Sequence, residues 1–332
     1  MKEIKEILKE LVSINAPSGR ERKISQYIEK FLKEKGFKVE IDYFGNVAGR
    51  LKKNEGKKIL LTAHIDQILL YVLKIDKGYI LIDTHATDRN LLKGKEVILI
   101  TEKGEYKGII GMTPPHIKEK KDEKDYLYFD IGVLSPEEIG VKPGDPLVFY
   151  SEFEELNSNV FAGRSFDNRA SVAVLLGSAQ ELKDMNFKGE IILYFSVQEE
   201  VGGPGASLIV KKYSPDIAIC LDVTFARAKG EEDTETELNK GPCIAKGPFI
   251  TGKISEKLIE IAEREEIPFQ IEVIERYTST DMDKFFSKDG GVPSGLISIP
   301  LRYMHSPTEV LDIRDLKRTK KLVISYIKEV LG

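Results

Sequence analysis

The chain has 332 residues, 41% of them hydrophobic, which suffices for one large domain or two modest ones around a substantial core. Lys+Arg 50 against Asp+Glu 54 leaves a net charge of -4, without the basic excess that marks a nucleic-acid binder. The two cysteines, Cys220 and Cys243, lie far apart with no C-x-x-C, so neither a disulfide framework nor a thiolate metal site is indicated.

No apolar run reaches membrane-spanning length. The start Met1-Lys2-Glu3-Ile4-Lys5-Glu6 reads as an amphipathic helix rather than a signal peptide, so a cytoplasmic protein is the expectation. Lysine and glutamate dominate the charged residues and Trp is absent, a bias that fits a heat-adapted source.

Ile4, Ile7, Leu8, Leu11 and Val12 recur at helical spacing, and Ala16-Pro17-Ser18-Gly19 breaks the pattern. A second helix carries Ile24, Ile28, Phe31 and Leu32 and stops at Gly36. Phe37, Val39 and Ile41 alternate as a strand, and a buried strand Ile59-Leu60-Leu61-Thr62-Ala63 then ends in His64-Ile65-Asp66.

From about Gln67 to Asn159 helical periodicity disappears. Short β-type runs alternate with turn signals such as Asp76-Lys77-Gly78 and Lys142-Pro143-Gly144-Asp145, which suggests a small barrel. Lys118 to Asp125 is a charge run of the kind found in solvated loops.

The α/β pattern resumes at Asp167. A helix is predicted from Asn168 to Leu182, a strand from Ile191 to Phe195, a short helix near Ala206 to Lys212 and a strand from Ile217 to Leu221. An acidic loop, Glu231-Glu232-Asp233, precedes a helix from Ile254 to Glu265 and a strand at Phe269, Ile271 and Val273. Leu296-Ile297-Ser298-Ile299 and a last helix from Asp312 to Leu331 complete the chain.

The fold class expected is α/β, a mixed central sheet with helices on both faces, interrupted by an inserted β-barrel domain. The catalytic domain would comprise residues 1–67 and 161–332, and the β-rich insert residues 68–160.

Four of these runs deliver a His, Asp or Glu just past their last apolar residue. They are His64 with Asp66, Glu199 with Glu200, Asp222, and His305 a little further on. Ligand sites of open α/β sheets lie beyond the carboxyl ends of the strands, so these groups, with Asp167, can converge. Imidazoles and carboxylates suit zinc or a similar divalent ion.

Two histidines and three carboxylates could hold two metals about 3.5–4 Å apart, one carboxylate bridging. Neighbouring residues leaving a strand point in different directions, so one of Glu199 and Glu200 can ligate while the other handles a proton. Asp66 can orient His64 through its other ring nitrogen.

Each residue has a plainer role to set beside this. Asp167 precedes a helix and could cap it. Asp281 and Asp283 could cap a helix or touch substrate. His85 and His116 lack acidic partners at matching spacing. Gly202-Gly203-Pro204-Gly205 lacks the spacing of a phosphate loop.

In order, Ala16-Pro17-Ser18-Gly19-Arg20-Glu21, Ala63-His64-Ile65-Asp66, Thr113-Pro114-Pro115-His116, Asp130-Ile131-Gly132, Phe166-Asp167-Asn168-Arg169, Gln198-Glu199-Glu200-Val201-Gly202, Leu221-Asp222-Val223-Thr224 and Arg302-Tyr303-Met304-His305-Ser306-Pro307-Thr308-Glu309 span nearly the whole chain. Together they resemble the tetrahedral aminopeptidases of peptidase clan MH, dinuclear-metal exopeptidases of which some carry an endoglucanase label.

The resemblance implies that Asp167 bridges two divalent ions, zinc first with cobalt or manganese as alternatives. His64 and Asp222 would complete one site, Glu200 and His305 the other. Glu199 would be the general base and Asp66 the support of His64. It also implies peptide substrates and a homo-oligomer, from a dimer through the barrel to a tetrahedral dodecamer.

The chain departs from the family at Gln67-Ile68-Leu69, where a Glu and then a Gly are usual, and in the glycine-rich segment 202–205. Competing readings are a glycosidase, a deacylase of N-acyl amino acids on the same metals, and a binding protein that has lost the reaction. The last is disfavoured because all seven positions are filled.

Overall fold

The structure is a computed structural model that describes residues 2–84, 86–111, 116, 127–132, 135–230, 234–286 and 291–332. His85, residues 118–125 and the acidic loop 231–233 lie outside the described residues.

Two amphipathic helices come first, α1 (Ile4–Ser13) and α2 (Arg22–Glu34). They bury the stripes that the spacing predicts: Ile4, Ile7, Leu8, Leu11 and Val12 on one, Ile24, Ile28 and Leu32 on the other. Strands β1 (Lys38–Ile41), β2 (Val47–Lys53) and β3 (Lys58–His64) follow. Next come β4 (Leu70–Asp76), β5 (Tyr79–Thr84), β6 (Glu96–Ile100), β7 (Glu105–Gly111), β8 (Leu127–Asp130), the single-turn α3 (Pro136–Ile139) and β9 (Pro146–Phe149).

These six strands close in the order β4-β5-β8-β7-β6-β9. Closure removes the unpaired edges that so many short strands would expose. The barrel has its own core, built from Leu70, Val72, Ile82, Val97, Leu99 and Leu147 among others.

The chain leaves the barrel through β10 (Glu154–Asn157) and β11 (Val160–Gly163), then runs through α4 (Phe166–Asp184), β12 (Gly189–Ser196), α5 (Ile209–Tyr213) and β13 (Ile217–Phe225). It ends with β14 (Cys243–Lys246), α6 (Gly252–Arg264), β15 (Gln270–Val273), β16 (Ser294–Leu301), β17 (Glu309–Asp312) and α7 (Ile313–Leu331). β10, β11 and β17 form a small separate sheet.

The main sheet has eight strands in the order β1-β2-β12-β3-β13-β16-β14-β15. Its centre, β12, β3, β13 and β16, is parallel, and β2 and β14 flank it antiparallel. Parallel strands covered on both faces read as unbroken apolar runs, which is why these four were visible in the sequence.

One face, with Ile59, Leu61, Ala63, Leu193, Phe195 and Leu221, packs under α1, α2, α4, α6 and α7. The other, with Leu60, Ile192, Tyr194, Cys220 and Leu296, meets α5 and a short 3-10 turn at Asp281–Phe285. The sheet is thus layered on both sides as expected, though unequally.

Leu193 sits at 0% exposure in the middle of the layer. Leu193→Ala is expected to cost about 2–5 kcal/mol of stability through the lost transfer energy and the cavity left behind. The urea midpoint reports it.

Register decides what emerges at the top of the sheet. Ser196 on β12 opposes His64 on β3, and Asp222 on β13 opposes Ser298 on β16. Cys220 opposes Thr62, so Asp222 and His64, each two residues further on, share one face.

Candidate metal centre and active site

Asp167 lies at the middle of the site. Its Oδ1 is 3.1 Å from Nε2 of His64, and its Oδ2 is 3.2 Å from Nε2 of His305. His64 Nε2 is also 3.8 Å from Oδ1 of Asp222, and His305 Nε2 is 3.3 Å from Oε2 of Glu200.

Two sets of donor atoms therefore gather, His64 with Asp167 and Asp222, and Asp167 with Glu200 and His305, each set within 4.8 Å. Asp167 belongs to both. Among the described residues its side chain takes no backbone N–H, and the helix start at Ser165 has no side-chain cap. The capping alternative is therefore set aside.

Glu199 reaches the same place, with Oε2 at 4.0 Å from His64 Nε2. Asp66 lies on the far side of the imidazole, its Oδ1 3.4 Å from Nδ1. Asp66 does more than the sequence indicated. It also accepts the backbone N–H of Glu199 at 3.0 Å, the N–H of Glu200 at 3.1 Å and the Ser18 hydroxyl at 2.6 Å.

A second buried carboxylate does the same across the site. Glu309 accepts the N–H groups of Phe166 at 2.6 Å, Asp167 at 3.2 Å and His305 at 3.2 Å. A third, Glu21, takes the N–H of Gln198 at 3.2 Å.

These grips answer a local difficulty. Ser165, Gln198 and His305 have left-handed backbones, with φ of 56°, 59° and 59°. Non-glycine residues hold such conformations only where the surroundings over-determine them, and functional loops are where they collect. The carboxylates of Glu309 and Glu21 fix these three turns.

The glycine-rich segment has a packing reason too. A Cβ on Gly205 would lie 2.3 Å from the Val197 carbonyl and 2.5 Å from Asn46 Oδ1, which itself accepts from Val197 N–H.

The remaining candidates divide. Asp281 is buried, shares a short hydrogen bond with the Ser196 hydroxyl and leaves Oδ1 without a partner. Asp283 ties down its own turn by accepting from Thr278 and Ser279. His116 is exposed and away from any acid cluster among the described residues.

Electrostatically the site holds more negative charge than its own cations offset. Burial, then Asp167, pushes Glu200 well above the usual carboxylate range. Burial does the same to Asp222, His64 opposing and Asp167 adding to it. Burial lifts Glu199 to about 7 despite His64.

Asp167 goes the other way: burial works against its charge, but hydrogen bonds from His305 and His64 prevail. His64 is held well above its usual value, because Asp167 and Asp66 outweigh the burial that disfavours imidazolium.

Buried carboxylates facing one another with an unpartnered Glu200 Oε1 suit divalent cations, and the nitrogen and oxygen donor set agrees. A pH consequence follows for chelator-stripped protein. The folded-state values of Glu199, Glu200 and Asp222 lie above their unfolded ones, so the unfolded chain releases those protons first as pH rises.

Stability contributed by these groups is full below about pH 4 and declines towards pH 7 and beyond. His64 acts in the same direction as its folded-state value is passed. Stripped protein is expected to have a lower melting temperature at pH 7.5 than at pH 5, and added zinc to restore it. A melting temperature indifferent to zinc would contradict the assignment of the site.

The profile of the M42 glutamyl aminopeptidase family matches residues 45–322. The lysyl aminopeptidase of Pyrococcus furiosus is 33% identical over 98% of this chain and 97% of its own length. The chain belongs to the M42 peptidase family.

Solved structures extend the likeness through the whole fold. An aminopeptidase from the archaeon Desulfurococcus kamchatkensis matches with a TM-score of 0.89 and 36% identity, over 99% of this chain and 95% of that one. The TET1 peptidase of Pyrococcus horikoshii, which can assemble into a tetrahedron or a large octahedral shell, matches with a TM-score of 0.84 and 32% identity over 97% and 98%. As an M42 peptidase the protein is a hydrolase of the aminopeptidase type.

Proposed function

We propose that this chain removes N-terminal residues from peptides with the help of two divalent metal ions and Glu199 as general base. The observation that carries this is the position of Asp167, with one carboxylate oxygen turned to each histidine. His64, Asp222 and Asp167 would hold one ion, and Glu200, His305 and the same Asp167 the other. Such a pair of cations supplies Lewis-acid polarisation of the scissile carbonyl and a more acidic water.

The chain's own groups do the rest. Glu199 stands free of any hydrogen-bonded partner on its carboxylate among the described residues, at 4.0 Å from His64. It takes a proton from the attacking water and passes it to the leaving amine as the C–N bond breaks. Asp66 holds the amides of Glu199 and Glu200, so the base and its ligand neighbour keep a fixed relation.

Metal analysis with aminoacyl-p-nitroanilide assays tests the reading. Two ions per chain, loss of activity on chelation and return on adding zinc, cobalt or manganese are expected. Hydrolysis of a cellulose derivative by metal-free protein would favour the glycosidase, whose two carboxyls leave both histidines without a role. Preference for N-acyl amino acids over free amines would favour the deacylase.

We further propose that residues 68–160 form a dimerisation unit. The barrel exposes Ile75, Tyr79, Ile109 and Tyr128, with the two tyrosine rings edge to face. The assembling TET1 relative supports this, and the mass in solution checks it.

A further inference from the structure

The two histidines of the site are held very differently. His64 ends strand β3, and its side chain is 2% exposed. His305 lies in the loop between β16 and β17, with its side chain 40% exposed. Groups on strands are placed more precisely than groups on loops, so the His305 imidazole depends on whatever fixes its backbone.

That loop is closed at its base, where Arg302 and Val310 exchange backbone hydrogen bonds of 2.9 and 3.1 Å. Within it Tyr303 and His305 both take left-handed backbones, with φ of 61° and 59°. Such a turn needs outside support to stay in one conformation.

Two contacts supply it, one on each side of the histidine. Glu309 accepts the His305 N–H at 3.2 Å. The hydroxyl of Thr87, in the loop between β5 and β6 of the barrel, donates to the His305 carbonyl at 3.0 Å. The N–H belongs to the peptide plane before the Cα, and the carbonyl to the plane after it. With both planes held, the direction of the Cα–Cβ bond is set. So is the approach of Nε2 to Asp167 and Glu200, at 3.2 and 3.3 Å.

Thr87 can serve as an anchor because its own segment is fixed on both sides. Before it, the Thr84 hydroxyl accepts the N–H of Ala86 at 3.3 Å. After it, Asp88 caps the 3-10 turn Arg89–Leu91 by accepting the Asn90 N–H at 2.9 Å, and Leu92 is buried in the barrel core. A second hydroxyl pair ties the His305 loop to the chain leaving the barrel, where Thr308 donates to Ser151 at 3.1 Å.

We propose that Thr87 is a positioning residue for His305, so that the barrel sets the affinity of the metal site completed by Glu200 and His305 and leaves the site completed by His64 and Asp222 unaffected. The proposal rests on the two-ion reading and adds to it a residue from outside both donor sets. Partners that orient a ligand tune metal affinity without touching the ion.

The test is calorimetric titration of chelator-stripped protein with zinc. Wild type is expected to bind two ions, and His305→Ala identifies its own site by removing or strongly weakening one step. Thr87→Val keeps the shape of the side chain and loses the donor. In that variant the same step is expected to weaken about threefold to tenfold, the worth of one hydrogen bond, with the other step unchanged. Thr87→Ser keeps a hydroxyl and is expected to recover wild-type affinity.

Two unchanged steps in Thr87→Val overturn the proposal. An equal weakening of both steps overturns it too, since that marks a general loosening, and so does a failure of Thr87→Ser to recover the step. Thr87→Ala removes the same donor and is read the same way, so the result does not hang on the folding of one variant. Binding of fewer than two ions by wild type would refute the two-ion reading itself, a result distinct from an unresponsive step.

Discussion

If Glu199 is the general base proposed above, Glu199→Gln is expected to keep the metal content of wild type while losing about 10²–10⁴-fold in kcat, the range typical of general acid–base catalysis. The substitution is nearly isosteric, so the loop keeps its shape. The backbone N–H of residue 199 still donates to Asp66, and Glu200 and Asp167 keep their places opposite His305.

What is lost is a carboxylate that can accept a proton. Because Glu199 belongs to neither gathered donor set, metal content should not change. Measured together, metal stoichiometry and the KM-against-kcat split separate proton transfer from ligation. Full activity in the variant would remove Glu199 from the mechanism. Loss of one ion would make it a ligand.

Much of this site was legible because buried parallel strands announce themselves. Ile59 to Ala63 and Ile191 to Phe195 are continuous apolar runs, and each ends where a polar group must have a use. The barrel was legible for a different reason, since turn signals recur between short runs. β14 was not, because Cys243–Lys246 is too short to show a period. β2 was not, since Val47–Lys53 mixes glycine and lysine into an otherwise buried strand.

The work of Glu309 and Glu21 was also hidden, although both stand in motifs the sequence singled out. A carboxylate that grips distant backbone amides leaves no spacing signal. Its partners are set by which loops the fold brings together. Asp66 shows the same limit. Its link to His64 could be read from two residues' separation, but its hold on Glu199 and Glu200 depends on β12 lying beside β3 in the register that sets Ser196 against His64.

That hold makes Asp66 the position where one change is expected to damage both folding and metal binding. Its carboxylate is at 0% exposure and serves two backbone N–H groups and a serine hydroxyl, with the His64 imidazole 3.4 Å away. In Asp66→Ala those donors stay buried with nothing to accept them, at about 1–3 kcal/mol for each group left unsatisfied.

Some of that loss is recovered if the loop relaxes, so a net destabilisation of about 3–5 kcal/mol is expected, as when a buried charge pair is broken. On the proposed assignment of His64 as a metal ligand, metal affinity should fall about 10–100-fold, because the residue that orients its imidazole is gone. Asp66→Asn tests which function dominates. The amide oxygen can still accept one N–H, whereas the amide nitrogen faces a second donor and repels it.

If Asp66 acts chiefly on His64, Asn should weaken metal binding and leave the urea midpoint near that of wild type. If it acts chiefly on the Glu199–Glu200 turn, the midpoint should drop along with affinity. The geometry favours the second outcome, since both amide contacts are shorter than the 3.4 Å approach to the imidazole. A variant with wild-type midpoint and wild-type affinity would show that Asp66 is dispensable.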